Sequence, residues 1–433
     1  MRKKFIVYFI GNFGSKFLNL LMIPIFTIFI NPKEFGSFDY WLTISNLLVV
    51  ILGLNFHVAT YLDIIKREDN DINYKIQKML KFVLWQSIFI SLMFTIHFLI
   101  FGFSLYIFLI YLIIIFNNIY EFLSQGILRG LEKNKNMAVA SFLFAFSVST
   151  ITLIFILSHE KLNLQVNYSY LLLLAQLLGF FITNIYIFIS LRLQKVIIRP
   201  KSRVYLSYSE IKKWMTFSIP MVLNALSWWV IYLSGRVILV NYLGVEENGI
   251  YSIASRFPSI IYMLNIIFSM VWQDRAIELR KQSNKSELYT AQLKNYINIQ
   301  FISLILLTII LRFVLPFILK NEYIQGMPYI PLLTYATVLA GVGSFYAAFY
   351  YSTENSSGAI YSSLIGTTMF ILIAFLTIEY FKVYAIALSM MIGYFSIMLY
   401  RVIEFRKKIN IYFPVKTFIM YSLIFVIVYS LFY

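Results

Sequence analysis

Four basic side chains interrupt apolar runs in this sequence: Lys16, Arg236, Arg256 and Arg312. Two acids do the same, Asp39 and Glu121. A charge inside an apolar run needs a cavity, a counter-ion or a ligand phosphate to solvate it. Four bases against two acids point to an anionic ligand, since the arginine fork matches phosphate oxygens. Other chemistries lack their residues. The chain has no cysteine, which excludes thiol catalysis, disulfides and cysteine-bound metals. Its three histidines, His57, His97 and His159, are too far apart in sequence to give metal-ligand spacing.

The elements that carry these charges are membrane helices. The 433 residues are 60% hydrophobic, 19% aromatic and 13% charged. A soluble domain carries about 25% charged residues, so this chain cannot cover a soluble surface. Apolar runs of about 20 residues recur from end to end, and the strict alternation of barrel strands is missing. The reading is an all-α integral membrane protein. Spans are expected at 5–30, 38–62, 80–102, 104–128, 137–158, 168–193, 214–240, 248–273, 295–319, 328–352, 357–380, 382–403 and 415–433. The last is long enough to span, with an interfacial tail as the alternative. The basic start "MRKKFIVYFI" is read as a retained first helix rather than a cleaved signal, because no small-residue cleavage site follows.

The net charge of +17 is mostly topology. Placing Lys and Arg on alternate gaps puts 28 on one side and 4 on the other. The positive-inside rule then sets the N-terminus in the cytoplasm. The rest of the charge is attraction to anionic lipid headgroups, and no nucleic-acid partner is expected.

The sequence also repeats. Shifted by 213 residues, "NPKEFGSFDYW" at 31–41 falls on "GVEENGIYSIA" at 244–254, so Gly36 meets Gly249 and both open a span. Shifted by 212, Asn12 meets Asn224 and Ser15 meets Ser227. Shifted by 222, "EKNKNMAVAS" at 132–141 falls on "ENSSGAIYSS" at 354–363. Six helices per half keep both halves in one orientation, related by an axis along the membrane normal. The expected organisation is a six-helix lobe at 1–193, a basic linker at 194–213, a second six-helix lobe at 214–405 and an extra segment at 406–433.

Within the spans, Tyr8, Asn12, Ser15, Lys16 and Asn19 recur at helical spacing and give helix one a polar face. Asn224, Ser227 and Ser234 do the same in helix seven. These faces line either a cavity or a helix contact. At about 1.5 Å per residue, Lys16 lies roughly 17 Å deep and Arg256 roughly 12 Å deep. Arg236 and Arg312 sit in outer parts of their spans, where snorkelling is the alternative. Arg236 points about 120° away from the Asn224/Ser227 face and shares a face with Trp229 and Tyr232. Lys16 and Arg256 are therefore the first candidates for ligand contact. Glu121 is either an ion-coupling acid or a structural partner near Arg129. Pro24 and Pro220 are expected to kink helices one and seven.

The stretches "GRVILVNYLGVEENGIYSIASRF" and "RGLEKNKNMAVAS", with the repeat and the length, resemble the Wzx-type polysaccharide-export flippases. These belong to the larger group that holds the MATE exporters and the lipid II flippase. The resemblance implies a MATE-like fold of two six-helix lobes around a central cavity lined by helices 1, 2, 7 and 8. It implies a flippase, not an enzyme, that moves undecaprenyl-diphosphate-linked oligosaccharide repeat units from the cytoplasmic to the outer leaflet by alternating access. The product would feed O-antigen, capsule or other surface polysaccharide. It places the chain in the bacterial cytoplasmic membrane as a monomer, with a polysaccharide polymerase and a chain-length regulator as partners. No cofactor is implied beyond a proton gradient, a sodium gradient or the membrane potential. By this reading the cavity residues are Lys16, Arg256, Arg236, Arg312, Asn12, Asn19, Asn224 and Ser227, with Asp39 and Glu121 as coupling acids or counter-ions. The family often has an aspartate just before the basic residue of helix seven, where this chain has Gly235. The alternatives are an O-antigen or capsule polymerase, whose chemistry needs a larger outer loop, and a MATE-like multidrug exporter, whose cationic substrates favour acidic cavities.

Overall fold

Backbone polar groups within a bilayer must be satisfied inside the segment that carries them, so long apolar runs fold as helices. The computed structural model describes the backbone of residues 2–65, 72–163, 165–194, 205–279, 282, 284–353 and 357–433. Among these residues there is no strand. Ten helices among the described residues are long and apolar enough to cross a membrane. The chain is a multi-pass membrane protein.

The first helices are α1 (Arg2–Phe29), α2 (Pro32–Leu52), α3 (Phe56–Ile65), α4 (Ile72–Phe101) and α5 (Leu105–Glu121). A π-helical turn at Phe122–Leu128 extends α5, and α6 (Asn134–Leu162) and α7 (Tyr168–Ser190) follow. Then come α8 (Tyr208–Leu243), α9 (Val245–Ala254), α10 (Ser259–Leu279) and α11 (Lys285–Ile318). The last four are α12 (Tyr329–Thr353), α13 (Ser357–Phe381), α14 (Val383–Ile409) and α15 (Val415–Phe432). The expected last span is thus one helix. Its Phe418 and Tyr421 pack on Phe301, and Phe425 stacks on Tyr335.

Two expected spans are broken. The run 38–62 divides at Gly53, Leu54 and Asn55, where Leu54 and Asn55 take φ of 54° and 46°. The carbonyl of Gly53 accepts from Phe56 N at 3.0 Å and from Gln86 Nε2 at 3.1 Å, and Asn118 Nδ2 donates to Gln86 Oε1 at 3.3 Å. These amides supply the partners that lipid could not. The run 248–273 divides at 255–258, where Pro258 has no N–H to continue a helix. The helices through Pro24 and the Pro220 position stay continuous as assigned.

The chain forms two compact units. The first holds residues 1–22 and 38–226, and the second holds 23–37 and 227–433. These units and the expected lobes are different divisions of the chain. The hairpin 23–37 belongs with the second unit, and the first part of α8 belongs with the first. The second unit is built on an aromatic core in which Trp272, Tyr289, Tyr296, Phe345 and Phe349 are buried together. In the first, Phe56, Phe82, Phe122 and Trp214 are packed together.

At the start of α8, Glu210 ties α8 to α4. It accepts from Lys78 Nζ at 2.6 Å and from Ser207 N and Oγ at 3.1 and 2.9 Å. Burial pushes its carboxyl up, but the hydrogen bonds and charge of Lys78 and Ser207 outweigh this and hold it below its ordinary value. A depressed acid stabilises the fold above its ordinary value, and that share is lost as pH falls through its folded value. Glu210→Gln should remove this acid-sensitive share and cost no more than about 1 kcal/mol at neutral pH, because the pair is partly solvated. Thermal unfolding of the purified chain at neutral pH and near pH 4 checks it.

Candidate functional site

The charged candidates fall into separate places. In the second unit, Arg256 lies at the junction between α9 and α10, which corrects its expected position within one unbroken span. Its carbonyl accepts from Ser259 N at 3.2 Å and Ser259 Oγ at 2.5 Å, which closes the break. Its guanidinium sits 5.2 Å from the Phe26 ring centre and 5.0 Å from that of Phe35. Arg256 therefore rests on the hairpin between α1 and α2.

That hairpin is held at close range. Asn248 Nδ2 donates to the Gly36 carbonyl at 2.9 Å, and Tyr323 Oη donates to the Ile30 carbonyl at 3.1 Å. Thr27 Oγ1 donates to the Ile318 carbonyl at 3.0 Å, and Asn321 Nδ2 donates to the Thr27 carbonyl at 3.2 Å. The two glycines matched by the repeat each lie against backbone beside the other. A Cβ on Gly36 would stand 1.9 Å from the Val245 oxygen, and one on Gly249 would stand 1.9 Å from the Pro32 oxygen. Only glycine permits this approach from both sides.

Arg236, on α8, is 1% exposed, so the snorkelling alternative fails for it. Its Nη2 donates to Tyr232 Oη at 2.9 Å and its Nη1 to the Tyr232 carbonyl at 3.3 Å. The guanidinium lies 3.9 Å from the Tyr232 ring centre and 5.5 Å from that of Tyr251. Beside it, Gly235 takes the place of the family's frequent aspartate. A Cβ there would meet Ile386 Cγ2 at 3.1 Å, so α8 approaches α14 through apolar contact and leaves an aspartate little room. Arg312 is elsewhere: it is exposed on α11, 5.7 Å from the Tyr433 ring centre.

In the first unit, Lys16 is half-buried on α1 and Asn19 is exposed. Asp39 is half-buried on α2. The side chains of Asn12, Asn224 and Ser227 lie outside the described residues. Glu121 pairs with His57 Nδ1 at 3.3 Å, while Arg129 stacks on Tyr61 at 4.4 Å. The expected Glu121 partner near Arg129 is thereby corrected: the helix break brings His57 of α3 to the end of α5. Asn117 Nδ2 donates to Asn46 Oδ1 at 3.0 Å nearby on α5. A π-turn begins directly after Glu121, and such turns are frequent at functional sites.

Sequence reasoning missed two buried charges. Arg401, which reads with the basic ends, is 2% exposed on α14. Its Nε donates to Ser362 Oγ at 3.0 Å and its Nη1 to the Gly343 carbonyl at 2.9 Å. Asp63 on α3 accepts from Trp214 Nε1 at 3.2 Å and pairs with Lys75 at 3.3 Å and Lys213 at 3.5 Å. Arg401 sits about two turns inside the end of its helix, and that depth was the available signal. Among the described residues, no group of three metal-ligating side chains gathers.

Residues 1–273 match the family model described as polysaccharide biosynthesis protein. No curated protein sequence matches the chain. Among solved structures, the chain is similar to the lipid II flippase MurJ in an inward closed conformation. The TM-score is 0.73 at 14% identity, covering 98% of this chain and 92% of that one. It is similar to an inward-facing multidrug resistance MATE family transporter of the MOP superfamily, with a TM-score of 0.67 at 14% identity and coverages of 98% and 96%. A MOP superfamily transporter from Pyrococcus furiosus, described with a reverse polarity of its binding pocket, gives a TM-score of 0.64 at 14% identity, with 94% of each chain covered. The fold is therefore MATE-like, as the sequence resemblance implies.

Proposed function

This chain belongs to the polysaccharide biosynthesis protein family, and from that premise we propose that it flips undecaprenyl-diphosphate-linked oligosaccharide repeat units from the cytoplasmic to the outer leaflet. The observation that carries this reading is the coincidence of that family with a fold shared over 98% of the chain by a lipid II flippase. A membrane chain of polysaccharide biosynthesis needs a route for a lipid-linked glycan, and this fold is one in which such a route exists. The half-buried Lys16 supports an anionic substrate rather than the organic cations of a drug exporter.

In this reading the protein sits in the bacterial cytoplasmic membrane with its N-terminus in the cytoplasm, and it works as a monomer by alternating access. The lobes 1–193 and 214–405, joined by the basic linker 194–213, are its two halves. A polymerase and a chain-length regulator act on its product. Glu121, now with His57, and Asp39 are the candidate coupling groups, and a proton, sodium or the membrane potential supplies the drive.

Deleting the gene tests the class of function. Lipid-linked repeat units should accumulate with their glycans on the cytoplasmic face, and the intact gene should clear them. Unpolymerised units on the outer face would instead mark a polymerase. Unchanged glycan with raised drug sensitivity would mark an exporter.

A further inference from the structure

Three basic helix ends meet at one corner of the second unit. Arg406, Lys407 and Lys408 close α14, Lys416 opens α15 and Lys285 opens α11, and all five are exposed. The turn 410–414 ties these ends together. Ser286 Oγ donates to the Asn410 carbonyl at 2.6 Å, and Tyr412 N donates to Thr290 Oγ1 at 3.2 Å. Between them, Ile411 is fully buried in the aromatic core of the unit. The Arg406 guanidinium folds back to 6.0 Å from the Tyr412 ring centre. The corner is therefore a fixed surface, with little left to order when a ligand binds.

Its acids do not cancel its charge. Glu404 is turned inward, where its carboxylate accepts from the Tyr350 hydroxyl and from Lys408 Nζ at 2.6 Å. Within 285–290 and 404–416 the other acid is Glu287, against Lys285, Arg406, Lys407 and Lys416. Beside the charge the surface is apolar. α15 is apolar enough to cross a membrane, and only its Phe418 and Phe425 are buried. Val415, Ile419 and Leu423 are exposed and follow one another at four-residue spacing, so they share one face. A span with an exposed apolar face and a basic first turn puts that turn at the level of the lipid headgroups.

We propose that this corner binds an anionic phospholipid, its phosphate against Lys285, Arg406, Lys407 and Lys416 and an acyl chain along Val415, Ile419 and Leu423. The charge calls for an anion, and the arginine fork matches phosphate oxygens. The adjoining face calls for hydrocarbon. A free phosphate would leave that face unused, and an acidic protein partner would need polar contacts where α15 offers Val415 and Ile419. The site stands apart from the flippase reading and does not depend on it.

The test measures lipid binding to the purified full chain in detergent by native mass spectrometry, with phosphatidylglycerol and phosphatidylcholine as probes. The intact chain should prefer phosphatidylglycerol. Each cation near a headgroup contributes about five-fold in affinity, so Arg406→Gln with Lys416→Gln should weaken phosphatidylglycerol binding about twenty-five-fold. Phosphatidylcholine binding should stay the same. Lys133→Gln with Lys135→Gln removes the same charge from exposed positions of the first unit and should change nothing. All four side chains are exposed, so the thermal midpoints without added lipid should match that of the intact chain. Glycerol phosphate, the headgroup chemistry without acyl chains, should not displace the lipid at equal concentration. An equal loss in the Lys133/Lys135 variant would show diffuse attraction and overturn the site. Full affinity in the Arg406/Lys416 variant would overturn it too. Displacement by glycerol phosphate would assign the corner to a free phosphate, and no preference between the two lipids would leave it to an acidic protein partner; either result overturns the proposal.

Discussion

Replacing Gly249 with valine should prevent the second unit from closing on the hairpin 23–37. The new Cβ would stand 1.9 Å from the Pro32 oxygen and 2.7 Å from its carbonyl carbon. Those are backbone atoms, so no side-chain rotation relieves the clash. Overpacking a core costs about 1–3 kcal/mol when side chains can yield. Here the hairpin must move, and the cost should exceed that range. Gly36→Val should do the same from the other side, because its Cβ would meet the Val245 oxygen at 1.9 Å. A chain carrying Thr27→Cys and Asn321→Cys provides the readout. A short thiol cross-linker should join them in the native background, where Asn321 reaches the Thr27 carbonyl at 3.2 Å. Adding either valine should abolish the cross-link. Gly343→Ala should leave it intact, since a Cβ there meets nothing closer than 3.7 Å.

Removing the Arg401 side chain should be the most costly single truncation of a charged group. Its Nε and Nη1 satisfy the Ser362 hydroxyl and the Gly343 carbonyl, and its guanidinium lies 5.7 Å from the Tyr350 ring centre. Arg401→Ala leaves those acceptors buried without it and opens space between α12, α13 and α14. A loss of about 2–4 kcal/mol is expected. Arg401→Lys should recover little, because an ammonium cannot reproduce the planar fork across two acceptors. Thermal unfolding in detergent measures both. A midpoint unchanged in Arg401→Ala would show that the buried fork is not needed for stability.

Most of the fold was readable because lipid imposes a length on apolar segments. Each expected span has a helix, and the family resemblance placed on "GRVILVNYLGVEENGIYSIASRF" agrees with the matched family and the MATE-like fold. The breaks were not readable in the same way. At Gly53–Asn55, three residues are too few to interrupt an apolar average, and the partners Gln86 and Asn118 are over thirty residues away. Pro258 did offer a local signal for the second break, since it lacks the N–H that a helix interior needs.

The charges were harder than the helices. Sequence depth ranks Lys16 and Arg256 above Arg236, because depth counts residues and not neighbours. Arg236 lies against Tyr232, one turn away on α8, and Tyr251, and the second contact depends on the turn between α8 and α9. Arg401 reads as part of a basic end because it sits close to Arg406, Lys407 and Lys408, yet it turns into the unit. The repeat match of Gly36 with Gly249 said more than a pair of aligned glycines would on its own. Its two members lie within one compact unit, each against backbone beside the other.

The central claim is that this chain carries a lipid-linked glycan across a bilayer. The direct measurement is exchange between leaflets in vesicles containing only the purified chain and fluorescently tagged lipid-linked repeat units. A membrane-impermeant quencher added outside reads the fraction on the outer face. With the chain present, units from the inner leaflet should continue to reach the quencher after the first rapid loss of signal. A protected fraction as stable as in vesicles without the chain would contradict the account.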